Sequence, residues 1–282
     1  MKRLLTLSLF LASCLGPQLR AEPKPAPAAT EPTNAAEAAA KKAAENAVVD
    51  EKFAAWKAKL SPEQQAWETV LEANLGNGFY LPLYKKDKIR GTVTAWDYVK
   101  DDPKLPRVLL IGDSVSRGYT LATRQALAGK ANVHRAPENC GPTANGVKKL
   151  DIWLGDGKWD VIHFNFGIHD RATPEADYAE RLEQIIARLQ KTGAKVIWAS
   201  TTPVPPDTKD GPSVPTAIVQ HNEIASKVMQ KHGVAIDDLF TFITPHLVEA
   251  QNPKDVHFNA KGYDLLGKQV ADSIAAVLPK KP

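Results

Sequence analysis

Five short apolar runs with helical stretches between them constrain the fold of this chain more than any other feature. They are Arg107–Ile111, Ala131–Arg135, Val161–Phe166, Lys195–Ser200 and Val234–Asp237. Each is short enough for a strand and apolar enough to be buried on both faces. The clearest intervening helix opens at Thr173 and Pro174. It carries Tyr178, Leu182, Ile185, Ile186 and Leu189 on one face and stops at Gly193. Strands alternating with amphipathic helices imply βαβ units, hence a parallel sheet with helices on both faces. The expected fold class is α/β: a flavodoxin-like, three-layer α/β/α arrangement around a central parallel sheet of about five strands.

In such folds ligands bind at the carboxyl ends of the strands. The first run ends in Gly112-Asp113-Ser114, and the segment from Gly118 to Leu127 reads as a helix. Ser114 therefore falls between a strand end and a helix start, where it can present its hydroxyl at the ligand edge. Backbone N–H groups nearby can receive a developing oxyanion. Asp113 is read as supporting the turn by hydrogen bonds.

A free serine hydroxyl is a poor nucleophile at neutral pH and needs a base. The sequence offers one at Asp255-Val256-His257-Phe258, just before a helix with apolar positions Tyr263, Leu266, Val270, Ile274 and Val277. A histidine preceding the last helix of an α/β domain can reach back to the active edge. Two further motifs lie between: Cys140-Gly141-Pro142-Thr143-Ala144-Asn145-Gly146 and Phe166-Gly167-Ile168-His169-Asp170.

Taken in order, Gly112-Asp113-Ser114, Gly141-x-Thr143-x-x-Gly146, Gly167-x-His169-Asp170 and Asp255-x-His257 resemble the four blocks of the SGNH hydrolase superfamily, the GDSL esterases and lipases. The resemblance spans about Arg107 to Val277. It implies Ser114 as nucleophile and His257 as base, with the N–H groups of Ser114 and Gly141 as oxyanion donors. The third donor of the family pattern is an Asn where this chain has His169. A neutral imidazole donates one N–H, so the role can survive. The family acid stands three residues before the histidine, which is Lys254 here. Asp255, two residues before, is the expected partner of His257. A serine–histidine dyad, its ring held by a backbone carbonyl, is the other reading.

Nearby residues divide by chemistry. Cys140 is read as a small packed residue beside the oxyanion loop, since no histidine is tied to it by motif. Asp170 and Arg171 are candidates for substrate contact, with loop bracing an equal alternative for Asp170. The prolines of Thr201-Thr202-Pro203-Val204-Pro205-Pro206 forbid an immediate helix and predict a rigid loop near the carboxyl edge.

The start of the chain reads as an export signal. Lys2 and Arg3 precede a short apolar stretch, Leu4 to Leu15, too short for a membrane span. Cleavage after Ala21 is one reading. The other takes Leu11-Ala12-Ser13-Cys14 as a lipobox, with Cys14 lipidated. The formal charge is +4, but Lys2, Arg3 and Arg20 belong to the leader. Residues 22–282 hold 33 basic and 32 acidic side chains, so the mature chain is nearly neutral. That balance argues against a nucleic-acid partner.

The expected organisation is a signal peptide at 1–21, an Ala/Pro-rich disordered linker at 22–48 whose Ala-rich part is weakly helical, a helical extension at 49–106 packed on the domain, and a hydrolase domain at 107–282. Within the extension, Ser61-Pro62-Glu63-Gln64 is a capping box, and Trp67, Val70 and Leu71 form an apolar stripe. The aromatics Phe79, Tyr80, Tyr84, Trp96 and Tyr98 either pack this extension down or line a sugar-binding rim.

The expected protein is thus an exported, periplasmic or extracellular serine esterase, with lipid anchoring through Cys14 as the only membrane attachment. It acts on short acyl, chiefly acetyl, esters of small molecules or glycans, and needs no metal or organic cofactor. The alternatives are an acyltransferase or lipase on the same fold, or a catalytically silent surface binding protein.

Overall fold

The central strands carry apolar side chains on both faces, and two helical layers cover them. The computed structural model describes residues 34–208 and 211–279. The leader and its two cleavage readings lie outside the described residues. By its contacts the chain divides into residues 1–44 and residues 45–282. The first helix, α1 (Asn34–Lys57), begins inside the stretch expected to be a disordered linker. The reason is intrinsic: an alanine-rich run carries high helix propensity. Residues 37–45 of this helix are all exposed, so propensity rather than packing accounts for its first turns.

Within residues 45–282, the extension follows its local signals. Ser61 caps α2 (Pro62–Asn74): its Oγ accepts from Gln64 N–H at 3.3 Å, and Gln64 Oε1 accepts from Ser61 N–H at 3.1 Å. Leu71 of the expected stripe is buried and Trp67 packs beside it, whereas Val70 is exposed. A third helix, α3 (Tyr80–Ile89), forms where the sequence has no clear period. Its Leu81 and Tyr84 join Phe53, Leu71, Leu75 and Trp96 in a small core of their own. Tertiary burial of these side chains, rather than an amphipathic repeat, holds α3 in place. Glu68 is buried there, and the Tyr84 hydroxyl donates to its carboxylate at 2.8 Å. Burial pushes the Glu68 carboxyl up to about 7, against the hydrogen bond from Tyr84, which lowers it.

The sheet is β1 (Arg107–Ile111), β2 (Asn132–Arg135), β3 (Val161–Phe164), β4 (Lys195–Ala199) and β5 (Ala235–Asp237). Its order is β2-β1-β3-β4-β5, with every pair parallel. The register sets Val108 beside both Val133 and Val161. On one face, Leu109, Ile111, Ile162, Phe164 and Trp198 pack on α5 (Thr143–Leu154), α6 (Glu175–Lys191) and α7 (Val214–Lys231). On the other, Val108, Leu110, Val161, Ile197 and Ala199 pack on α4 (Ser114–Ala126), α8 (Leu239–Ile243) and α10 (Ala260–Val277). A short α9 (Leu247–Ala250) precedes the turn that leads into α10. This is the three-layer α/β/α fold, and the strands send alternate side chains into opposite layers.

The α4–α10 contact matters most for function, because these helices lead from Ser114 and His257. They meet at Gly267, where an added Cβ would collide with Ala122 Cβ and lie 2.9 Å from Thr123 N. Thr123 Oγ1 also donates to Gly267 O at 3.2 Å. Only a residue without a side chain permits this approach, and the approach fixes the spacing of the helices that lead from Ser114 and His257.

Candidate active site

Ser114 is the first residue of α4, so the helix starts four residues before the expected Gly118. Asp113 is the reason: its carboxylate accepts from Val115 N–H at 2.9 Å and caps the helix. The run Ser-Val-Ser-Arg-Gly has weak helix propensity, and the cap offsets it. Asp113 thus braces the turn, as expected. Ser114 itself is buried at the carboxyl end of β1.

Arg135, which sequence reasoning did not single out, holds this turn from beneath. It ends β2, is buried, and donates through Nη2 to Gly112 O at 3.0 Å and Asp113 O at 2.8 Å. Its Nη1 donates to Ser116 Oγ at 2.5 Å. Burial lowers the pKa of this guanidinium, against the neighbouring Cys140, Tyr119 and Asp113. A buried arginine needs acceptors for its donors, and here they are carbonyls of the turn that carries Ser114. A charged residue closing an otherwise ordinary strand was the one available signal.

The second motif joins the same turn. Cys140 N–H donates to Gly112 O at 3.1 Å. Gly141 follows with φ +67°, in the left-handed region that favours glycine. Neither Ser114 N–H nor Gly141 N–H donates to a protein acceptor among the described residues. The Cys140 thiol is fully buried, and burial pushes its pKa up to about 12 although Arg135 lowers it. That thiol is packed and un-ionised at neutral pH, not a nucleophile.

Asp170 locks the second and third motifs together. Its carboxylate accepts from Thr143 N–H at 2.8 Å, Thr143 Oγ1 at 2.6 Å and Thr173 Oγ1 at 3.2 Å. It is fully buried, so of its two readings the structure favours loop bracing. Arg171 is anchored through Nη1 to Ile168 O at 2.9 Å. His169 lies in the short 3-10 turn Ile168–Asp170, with Nε2 3.8 Å from Asp113 Oδ2 and its side chain 37% exposed. The ring therefore stands beside the residue that precedes the nucleophile. The proline-rich loop after β4 is tied across by Gln251 Nε2, which donates to Pro203 O at 2.8 Å.

His257 reaches Ser114 from a tight turn. Gln251 and Phe258 form an antiparallel bridge, and Asn252 N–H donates to His257 O at 3.0 Å. Lys254 at φ +57° reverses the chain. This turn explains the shortened acid spacing: it folds Asp255 back over His257. Asp255 Oδ1 lies 2.7 Å from His257 Nδ1 and accepts from His257 N–H at 3.2 Å. His257 Nε2 is 2.8 Å from Ser114 Oγ. A carboxylate on Nδ1 assigns the proton there and leaves Nε2 free to accept from the serine hydroxyl. Burial raises the Asp255 pKa, but hydrogen bonds from the His257 ring and backbone outweigh it, so the carboxyl sits below its ordinary value. It is ionised at neutral pH. The three side chains thus form one continuous chain at the ligand edge of the sheet. Among the described residues, no cluster of three or more His, Cys, Asp or Glu is placed to hold a metal ion.

The fold sets a serine, a histidine and an aspartate in line, and with the family match below it defines the class, a serine ester hydrolase. Residues 110–265 match the model of the GDSL-like lipase/acylhydrolase family, and the chain belongs to that family. Solved structures share the fold. A lipase/acylhydrolase from Enterococcus faecalis is 23% identical, with TM-score 0.56 over 63% of this chain and 99% of that one. An acetylxylan esterase from Geobacillus stearothermophilus is 12% identical, with TM-score 0.51 over 60% and 94%. A further acetyl xylan esterase is 16% identical, with TM-score 0.50 over 60% and 98%. Among curated proteins no sequence match is found.

Proposed function

We propose that Ser114, His257 and Asp255 carry out ester hydrolysis through an acyl-serine intermediate. The observation that carries this reading is the unbroken contact chain, 2.8 Å from Ser114 Oγ to His257 Nε2 and 2.7 Å from His257 Nδ1 to Asp255 Oδ1. As Ser114 Oγ attacks the carbonyl carbon, its proton passes to His257 Nε2. The carbonyl π pair moves onto oxygen, and the N–H groups of Ser114 and Gly141 receive that oxyanion, with His169 as third donor. Collapse breaks the bond to the alcohol, which leaves with the proton from Nε2. Water then attacks the acyl-serine by the same proton route, releasing the carboxylic acid and restoring Ser114. Asp255 stabilises the imidazolium formed in each half.

The substrate we propose is a short acyl ester, acetyl above all, on a carbohydrate. The acetylxylan esterases that share the fold support this reading, as association rather than site chemistry. We also propose export, supported by the positive and apolar start of the chain, with either soluble secretion or a lipid on Cys14. The direct test is turnover of p-nitrophenyl acetate by the wild type and Ser114→Ala. Loss of turnover in the variant, with the thermal midpoint nearly unchanged, is expected. Wild-type turnover in Ser114→Ala overturns the mechanism.

A further inference from the structure

The aromatics of the extension separate into two groups. Tyr84 and Trp96 are buried and pack the extension's own core. Tyr80 is only half-buried, and Phe79 before it is 65% exposed. The Phe79 and Tyr80 rings meet edge to face, 5.1 Å apart. Tyr80 also packs edge to face on Trp96 at 5.5 Å, and the Trp96 indole N–H donates to Ala136 O at 3.2 Å. That bond ties the aromatic group to the residue following Arg135, beneath the nucleophile turn.

Arg117 brings this group to the catalytic serine. It lies one helical turn after Ser114 on α4, and residues three apart on a helix share a face. Its guanidinium carbon is 5.8 Å from the Tyr80 ring and 5.7 Å from the Trp96 ring. Among the described residues, the buried Nε of Arg117 has no hydrogen-bond partner. Phe79, Tyr80 and Arg117 therefore form a shelf that reaches the first turns of α4, the helix that Ser114 begins: an exposed ring, a phenol and a cation.

We propose that this shelf binds the alcohol portion of the ester as a sugar, with the Tyr80 hydroxyl hydrogen-bonding a sugar hydroxyl and the Phe79 ring covering the sugar's C–H face. The inference rests on the esterase reading and names the element that selects its substrate. Burial raises the Tyr80 phenol above its ordinary value, against the nearby Arg117 guanidinium, which lowers it. The phenol is accordingly protonated at neutral pH and can donate. The extension is then part of the active site, not only a packing appendage.

The test compares kcat/KM on an acetylated methyl xyloside with kcat/KM on p-nitrophenyl acetate. A hydrogen bond to a sugar hydroxyl predicts that Tyr80→Phe lowers the ratio of the two about three- to tenfold, chiefly through KM for the xyloside. Phe79→Ala lowers it in the same direction. Tyr98→Phe, which removes the other hydroxyl of this segment's half-buried tyrosines, leaves it unchanged. A ratio unchanged in both Tyr80→Phe and Phe79→Ala overturns the proposal, as does a wild type that hydrolyses the aryl acetate and not the xyloside. Equal losses on both substrates also overturn it, since Tyr80 would then act on Ser114 itself. A wild type inactive on both esters overturns the esterase reading first, so the two failures are distinguishable.

Discussion

The two halves of the proposed catalytic pair are held in different ways. The nucleophile turn is buried: Ser114 is 8%, Asp113 4% and Arg135 1% exposed, and the contacts that fix it involve backbone or a buried side chain. The acid–base turn lies near solvent, with the side chains of His257 and Asp255 36% and 46% exposed. Its geometry depends on one carboxylate bonded to both the ring and the backbone of His257. A buried brace and an exposed brace fail differently. Removing the first takes charge-assisted hydrogen bonds out of a buried turn and costs stability. Removing the second leaves water to solvate the ring and costs rate.

The largest expected effect tests the exposed side. Asp255→Asn lowers kcat by about 10²–10⁴-fold with little change in KM, because it removes an interaction strengthened in the transition state. Its thermal midpoint stays close to that of the wild type, since a half-exposed pair contributes little stability. Steady-state kinetics and a thermal melt check both halves; a loss below about tenfold favours the serine–histidine dyad.

His169 is expected to matter next. His169→Ala removes the proposed third oxyanion donor, worth roughly 3 kcal/mol or about a hundredfold in kcat. His169→Asn supplies the amide donor of the family pattern and recovers a good part of that loss. Full activity in the alanine variant makes the residue structural and places the third donor elsewhere.

The buried side predicts the reverse pattern. Arg135→Met removes the charged donor from the carbonyls of Gly112 and Asp113, which keep the N–H groups of Cys140 and Arg117, and the lost charge-assisted hydrogen bonds cost about 1–3 kcal/mol. A lowered midpoint in a chemical or thermal melt is the expected reading. An unchanged midpoint breaks the contrast between the two braces.

What the sequence made legible was local. Ser114, His257 and Asp255 lie in short motifs, and five apolar runs with intervening periodicity suffice for a parallel sheet. Less legible features depend on contacts distant in sequence. Arg135 looks like any strand-end arginine until Gly112 and Asp113 come to face it. Helix α3 has no amphipathic period, so its existence follows only from the small core around Tyr84 and Trp96. The start of α4 at Ser114 depends on a side-chain cap that a glycine-containing run conceals.

The most direct test of the central claim is to look for the acyl-serine itself. Rapid quench of the enzyme with p-nitrophenyl acetate, followed by peptide mass spectrometry, is predicted to show an acetyl group on Ser114. No acetyl on Ser114 in an enzyme that is turning over, or acetyl on another residue whose removal abolishes activity, would contradict the account.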